Sequence, residues 1–82
     1  MKLSIYSLKE TLFEGEAEKI IARTPAGEIS VLAHHVPIVT PLEGPELAIV
    51  DKTGKRDILN IVSGFLEVRP ESEVVALIDQ TS

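Results

Sequence analysis

The sequence predicts a small all-β domain, an antiparallel β-sandwich or flattened barrel of about 8–10 short strands. Apolar and polar residues alternate with a period of two along several runs, which is the pattern of half-buried strands. Five prolines and five glycines fall mostly between these runs, at spacings of about 8–12 residues. No linker or internal repeat divides the chain, so residues 1–82 are expected to form one domain.

The N-terminal segments contain a clear strand pattern and one stretch that partly resembles a helix. "KLSIYS" places Leu3 and Ile5 on one face and Ser4 and Tyr6 on the other. The next stretch, "SLKETLFEGEAEKI", resembles a helix in part, but Gly15 interrupts it. Because its surroundings are rich in strands, no helix is predicted there.

The remaining strands follow in order. "EAEKIIART" stops at Pro25-Ala26-Gly27, and "EISVLA" begins directly after this turn. "PELAIVD", "RDILNIV", "FLEVRP" and "EVVALID" complete the set. Several strands, such as "KIIA" and "EVVALID", are apolar on both faces, which is typical of a sandwich whose outer surface is partly covered by a partner. Burial of both faces within a larger fold would produce the same pattern.

The segment between "PELAIVD" and "RDILNIV" begins Asp51-Lys52-Thr53-Gly54. The phosphorylated loop of P-type ion pumps begins with the same four residue types, but its aspartate needs a large parallel α/β scaffold with Mg²⁺ ligands. A chain of 82 residues has no room for that scaffold. We predict instead a type I turn in which Gly54 takes the left-handed conformation.

Composition excludes several classes of function. Thirteen acidic against eight basic residues give a net charge of −5, and no Lys or Arg cluster is present, so nucleic-acid binding is not expected. No apolar run approaches the roughly 20 residues of a membrane span, and no signal peptide is expected. The absence of cysteine suits a reducing cytoplasm. His34 and His35 are expected to point to opposite faces of a strand, so no metal site is predicted.

The residues themselves bear on two activities, catalysis and covalent modification as a carrier domain. No nucleophile lies beside a general base in a recognisable motif, so the chain is not expected to be an enzyme by itself, and no cofactor is predicted. Lys52 lies at the predicted tip of a hairpin, where lipoyl and biotinyl carrier domains present their modified lysine. A carrier domain modified at Lys52 is therefore the alternative function.

Four motifs in order along the chain resemble the N-terminal β-sandwich of the ε subunit of F-type ATP synthases. The family pattern runs F-x-G, then G-E-x-G-I-L-P-G-H-A-P-L-(L/V)-T, then S-G-G-(F/I)-L-E-V-x-P, then V-T-V-L-A-D. The matching residues here are Phe13, Gly15, Gly27, Glu28, Leu32, His35, Pro37, Thr40, Ser63, Gly64, Phe65, Leu66, Glu67, Val68, Pro70, Leu77 and Asp79.

The chain departs from the family pattern at four places. Ser30 replaces a glycine, and Ala33-His34 replaces Pro-Gly, so the loop before His35 is expected to differ in backbone shape. One glycine of the S-G-G pair is missing. The sequence ends at "IDQTS", where the two regulatory helices of the family begin, so the resemblance predicts a sandwich domain without that helical hairpin.

The resemblance implies a mechanical role, not a catalytic one. In the family, the ε sandwich links the rotating γ subunit to the polar loops of the membrane c-ring, at the cytoplasmic face of the bacterial inner membrane. Carried over by position, Glu28 in the Gly27–Ile29 turn contacts the c-ring, and Ser7, His35 and Thr40 contact γ. No nucleotide is expected to bind without the helices. An exposed carboxylate such as Glu28 is suited to a charge-assisted pair with a loop arginine.

Overall fold

The computed structural model describes residues 1–80, in which all regular structure is β-strand. The all-β prediction is confirmed, and the ambiguous stretch around Gly15 is a strand. Within the described residues no helix is long and apolar enough to cross a membrane. The eight strands are β1 (Lys2–Tyr6), β2 (Thr11–Glu16), β3 (Lys19–Thr24), β4 (Gly27–Leu32), β5 (Ile38–Val50), β6 (Arg56–Asn60), β7 (Ser63–Arg69) and β8 (Glu73–Asp79).

The strands form one open hydrogen-bonded sheet in the order β2-β1-β8-β7-β5-β3-β4, with β6 also pairing with β5. The sheet is not closed into a barrel. The sheet is mixed, because β1 and β8 run parallel whereas the other strand pairs are antiparallel, as predicted. These two strands come from opposite ends of the chain and are not joined by a hairpin, so no turn forces them to be antiparallel.

β5 is the longest strand, and its two halves have different neighbours. The half that begins at Ile38 pairs with β7, whereas the half that ends at Val50 pairs with β6 and β3; after a register shift, β3 also pairs with β5 at Glu43. Only the second half was predicted, because Pro41 and Gly44 interrupt the strand pattern of the first. A Cβ at Gly44 would collide with the carbonyl oxygen of Ile61, so only glycine permits this approach of the backbones.

A single hydrophobic core contains residues from strands at both ends of the sheet order. The sheet must therefore fold over at β5 into two layers, β2-β1-β8-β7 with the first half of β5, and β4-β3-β6 with the second half. We call these the first and second layers. The face predicted for β1 is confirmed, since Leu3 and Ile5 are almost wholly buried, and Ile20 and Ala22 of β3 are buried in the same core.

Candidate partner interface

The turn between β5 and β6 is the type I turn that the sequence predicts. The N–H of Gly54 donates to the carbonyl of Asp51 at 3.0 Å, and Gly54 has a left-handed φ of +89°. Neither central residue, Lys52 or Thr53, has a positive φ, as a type I turn requires. The turn prediction is confirmed, and Lys52 is exposed at its tip.

The carboxylate of Asp51 is held by the turn itself. Its Oδ1 accepts hydrogen bonds from the Thr53 hydroxyl at 2.6 Å, the Thr53 N–H at 2.8 Å and the Lys55 N–H at 3.0 Å. The bonds from Thr53 lower the pKa of Asp51 below its ordinary value. Asp51 is therefore a turn-forming residue, and its hydrogen bonds account for why aspartate begins this motif.

Glu28 lies one residue inside β4, and the expectation that it belongs to a turn is wrong. The chain reverses at Pro25 and Ala26, because the register pairs Thr24 with Gly27. The Thr24 hydroxyl stabilises this reversal by accepting from the Ala26 N–H at 3.1 Å and donating to the Gly27 carbonyl at 2.9 Å. Glu28 thus has a fixed strand backbone, and its side chain is exposed beside the hairpin.

A groove of about 230 Å³ crosses the outer surface of the second layer next to Glu28. Ile21, Ala48 and Ile58 are aligned by strand register and form an apolar floor. Charged side chains surround this floor, among them Glu28, Arg23, Glu46 and Arg56. We call this feature the second-layer groove. Sequence reasoning missed it, because its members lie on four strands, from β3 to β6, and only the strand register brings them together.

The three residues predicted to contact γ all border the first layer, but the structure does not bring them together. Ser7 follows β1 and lies beside Asp79 at the end of β8. His35 belongs to the turn after β4, and Thr40 lies within β5 opposite Leu66. Ser7 lies near one end of β8 and His35 near the other. The seven residues of this strand span roughly 20 Å.

The polar groups of these three residues form hydrogen bonds with backbone atoms one to three positions away. The Ser7 hydroxyl accepts from the Glu10 N–H at 3.2 Å and donates to the Glu10 carbonyl at 3.3 Å. Nδ1 of His35 lies 2.7 Å from the carbonyl oxygen of Val36, and the Thr40 hydroxyl donates to the carbonyl of Pro41 at 3.1 Å. Each side chain therefore also shapes the backbone around it.

The histidine pair lies in a turn, and the prediction that it lies on a strand is wrong. The His35 N–H donates to the Leu32 carbonyl at 3.2 Å, which closes the turn. His34 has a left-handed φ of 66°, the conformation that glycine adopts most readily. Its N–H donates to the Ser72 hydroxyl at 3.1 Å, so the β4–β5 loop is tied to the β7–β8 loop.

Large apolar side chains form a row on the outer surface of the first layer. Phe65 is 60% exposed and lies opposite Leu77, which is 48% exposed, and opposite Pro41. Val39, on the same face of β5 as Pro41, is 71% exposed. We call these four residues the outer apolar face. Exposed apolar clusters of this kind mark surfaces that bind other proteins. In the sequence, apolar residues at the outward positions of "FLEVRP" and "EVVALID" indicate this outer apolar face.

Comparisons with known proteins agree on one family. The sequence profile of the "ATP synthase, Delta/Epsilon chain, beta-sandwich domain" matches residues 1–80. An ATP synthase epsilon chain of Exiguobacterium is 40% identical over 63 residues, or 77% of this chain and 46% of that protein. The epsilon chain of Acinetobacter baumannii strain SDF is 32% identical over 82 residues, or 100% of this chain and 58% of that protein. This chain thus spans about half the length of the curated relatives it matches.

Solved structures show the same fold. A chain from the Euglena gracilis mitochondrial ATP synthase, in a complex described as OSCP/F1/c-ring, has a TM-score of 0.85 and 31% identity. That match covers 93% of this chain and 48% of the other. A chain from the central stalk/c-ring of Tetrahymena thermophila ATP synthase has a TM-score of 0.82 over 98% of this chain and 63% of the other. Its identity is only 10%, so it supports the fold alone.

Proposed function

The chain belongs to the β-sandwich family of ATP synthase delta and epsilon chains, and on that premise we propose that it is a rotor subunit of an F-type ATP synthase. In this role it lies in the central stalk and couples γ to the membrane c-ring during proton-driven ATP synthesis. The observation that carries the proposal is the family match across residues 1–80. The 31% identical structural neighbour, which comes from an ATP synthase complex with a c-ring, supports it further.

The c-ring contact is assigned to Glu28. This carboxylate is exposed at the hairpin of the second layer and makes no ion pair within residues 1–80. A carboxylate on a fixed strand backbone is available to pair with a basic side chain on a partner loop, because no internal ion pair has to be broken first. The acidic net charge of −5 favours docking onto a basic surface.

The γ contact is assigned to the first layer. Ser7, His35 and Thr40 border this layer over roughly 20 Å, which suits a long contact rather than a compact site. The outer apolar face supplies the hydrophobic surface that a stable protein interface needs. We therefore assign to γ a contact in which Phe65 and Leu77 lie near the centre and Ser7 and His35 lie at the margins. Thr40 is on the same face of the layer as buried Leu66, so its assignment to γ rests on the motif match alone.

The proposed subunit is non-catalytic. It lies at the cytoplasmic face of a bacterial inner membrane through its contacts in the complex, and its acidic sandwich domain does not contact nucleic acid. The carrier-domain alternative is not supported, because the residues around Lys52 fall within the ATP synthase family match. The exposed turn at Lys52 is explained by the hydrogen bonds of Asp51.

Co-purification tests the proposed partners. The chain is used as bait on detergent-solubilised membranes of its native host, and intact mass is recorded on the same sample. We expect γ and the c-ring subunit to co-purify with a chain of unmodified mass. A chain that captures neither partner and carries a covalent addition at Lys52 would overturn the rotor proposal.

Glu28→Lys tests the c-ring contact. We expect it to weaken ATP-driven proton pumping in membranes depleted of their own epsilon chain and reconstituted with the variant, because it places like charges together at the interface. Asp57→Lys is the matched control, since Asp57 is an exposed acid on β6 of the same layer. Both variants should keep the wild-type thermal unfolding midpoint. Unchanged pumping with Glu28→Lys would refute the assignment of Glu28.

A further inference from the structure

Two arginines face a glutamate across an antiparallel strand pair, and they differ in their contacts. Arg69 faces Glu73, and Arg23 faces Glu28. The guanidinium of Arg69 pairs with two carboxylates, since Nη1 donates to Glu73 at 3.1 Å and Nε donates to Glu67 at 3.0 Å. Arg23 makes no ion pair with any residue in the described part of the chain. The same cross-strand arrangement therefore leaves one arginine occupied and the other available.

Carboxylates flank Arg23 on both sides. Glu28 on β4 and Glu43 on β5 are its two cross-strand partners, and Glu46 lines the same groove. Cross-strand partners lie with their Cα atoms about 4.5–5.5 Å apart. All four side chains are exposed, so a carboxylate–guanidinium–carboxylate row borders the second-layer groove. A guanidinium without an internal partner keeps its five N–H donors for another molecule.

We propose that Arg23 determines the specificity of the Glu28 contact, an inference that rests on the proposed function. Arg23 binds acceptor oxygens of the c-ring loop, either a carboxylate or backbone carbonyls. These oxygens lie next to the basic side chain that Glu28 binds. A carboxylate alone accepts any exposed cation, whereas the pair requires a cation and an acceptor next to each other. The planar guanidinium adds directional recognition, because it donates two parallel hydrogen bonds to one acceptor group.

Arg23 is available for this role because it makes no ion pair within the described residues. Had Arg23 paired with Glu28, the carboxylate would be neutralised before it met its partner. Exposed ion pairs contribute little to stability, so the fold does not depend on such a pair. Arg69 shows what a guanidinium does when its function is internal, since it bridges Glu73 and Glu67 on the first layer.

Substitution of Arg23 tests the proposal. The probe is a detergent-solubilised γ–c-ring assembly stripped of its own epsilon chain, and the dissociation constant is measured for each variant. We expect Arg23→Gln to weaken binding roughly tenfold, the effect of losing a hydrogen bond to a charged group. Arg23→Lys should recover only part of the affinity, because lysine lacks the bidentate geometry. Lys52→Gln is the matched control, because Lys52 is exposed at the β5–β6 turn and belongs to neither assigned contact. It should bind within about twofold of the wild type, since solvent screens an exposed charge away from the interface.

Arg23→Gln and Lys52→Gln each remove one positive charge, so a purely long-range electrostatic effect would change both affinities alike. Equal weakening by these two variants would therefore overturn the proposal. So would wild-type affinity of Arg23→Gln when Glu28→Gln has lost binding, although the proposed function would then stand. Failure of the wild-type chain to bind the assembly at all would overturn the proposed function itself. Thermal unfolding midpoints of all variants confirm that each one is folded.

Discussion

Replacing Gly64 by alanine tests how closely β7 and β8 are packed. A Cβ at Gly64 would lie 2.5 Å from the carbonyl oxygen of Leu77 and 3.0 Å from both Cα and Cγ2 of Ile78. Ordinary contact begins at 3.4 Å, so the strands would have to separate by about 0.9 Å (3.4 minus 2.5). The seven paired residues of β7 and β8 resist that movement.

The expected cost follows from two opposing effects. Overpacking a well-packed site costs about 1–3 kcal/mol, whereas alanine restricts the unfolded chain and offsets about 0.4–1 kcal/mol. Gly64 does not have a positive φ, so the backbone itself accepts alanine and the loss comes from the collision. We expect a net loss of about 1–2 kcal/mol, which lowers the Tm of a domain of this size by about 4–16 °C.

Thermal and urea unfolding followed by circular dichroism measure this loss. Ser63→Ala is the matched control, because Ser63 is the preceding residue of the same strand and its side chain is exposed. We expect the control to stay within about 0.5 kcal/mol of the wild type. If Gly64→Ala unfolds at or above the Tm of Ser63→Ala, the strands adjust without cost and the packing argument fails.

Two further predictions concern loops. His34→Gly should stabilise the fold by about 0.5–1 kcal/mol, because it relieves a left-handed residue while retaining the N–H bond to Ser72; a lower urea midpoint would contradict this. The pKa of Asp51, measured by carboxyl NMR titration, should lie below 3.8, since Thr53 stabilises its ionised form. Because the folded pKa is lowered, the stability from this carboxylate is complete above the unfolded pKa and disappears as pH falls through the folded pKa. The difference in stability between wild type and Asp51→Asn should therefore shrink in acid below 3.8, and a difference that stays constant there would contradict the account of the turn.

Local patterns in the sequence were sufficient for the strands and for one turn. The inward faces of β1 and β3 follow from alternation, because each side chain in a strand points opposite to its neighbours. The turn at Asp51 follows from local hydrogen bonding and from the backbone freedom of Gly54. These features depend on residues a few positions apart, which is why the sequence predicts them.

The features that decide function depend on distant segments. The parallel pairing of β1 with β8, the long β5 and the groove beside Glu28 all join residues that are far apart along the chain. Motif matching identified Glu28, but it gave neither the correct position of the nearby turn nor the cross-strand neighbour Arg23. The register of β3 and β4 decides both. The sequence by itself determined the fold class, the faces of the strands and the family. Only the tertiary structure decided which side chains meet at a surface, because alternation sets the face of a residue but not the strand that lies opposite.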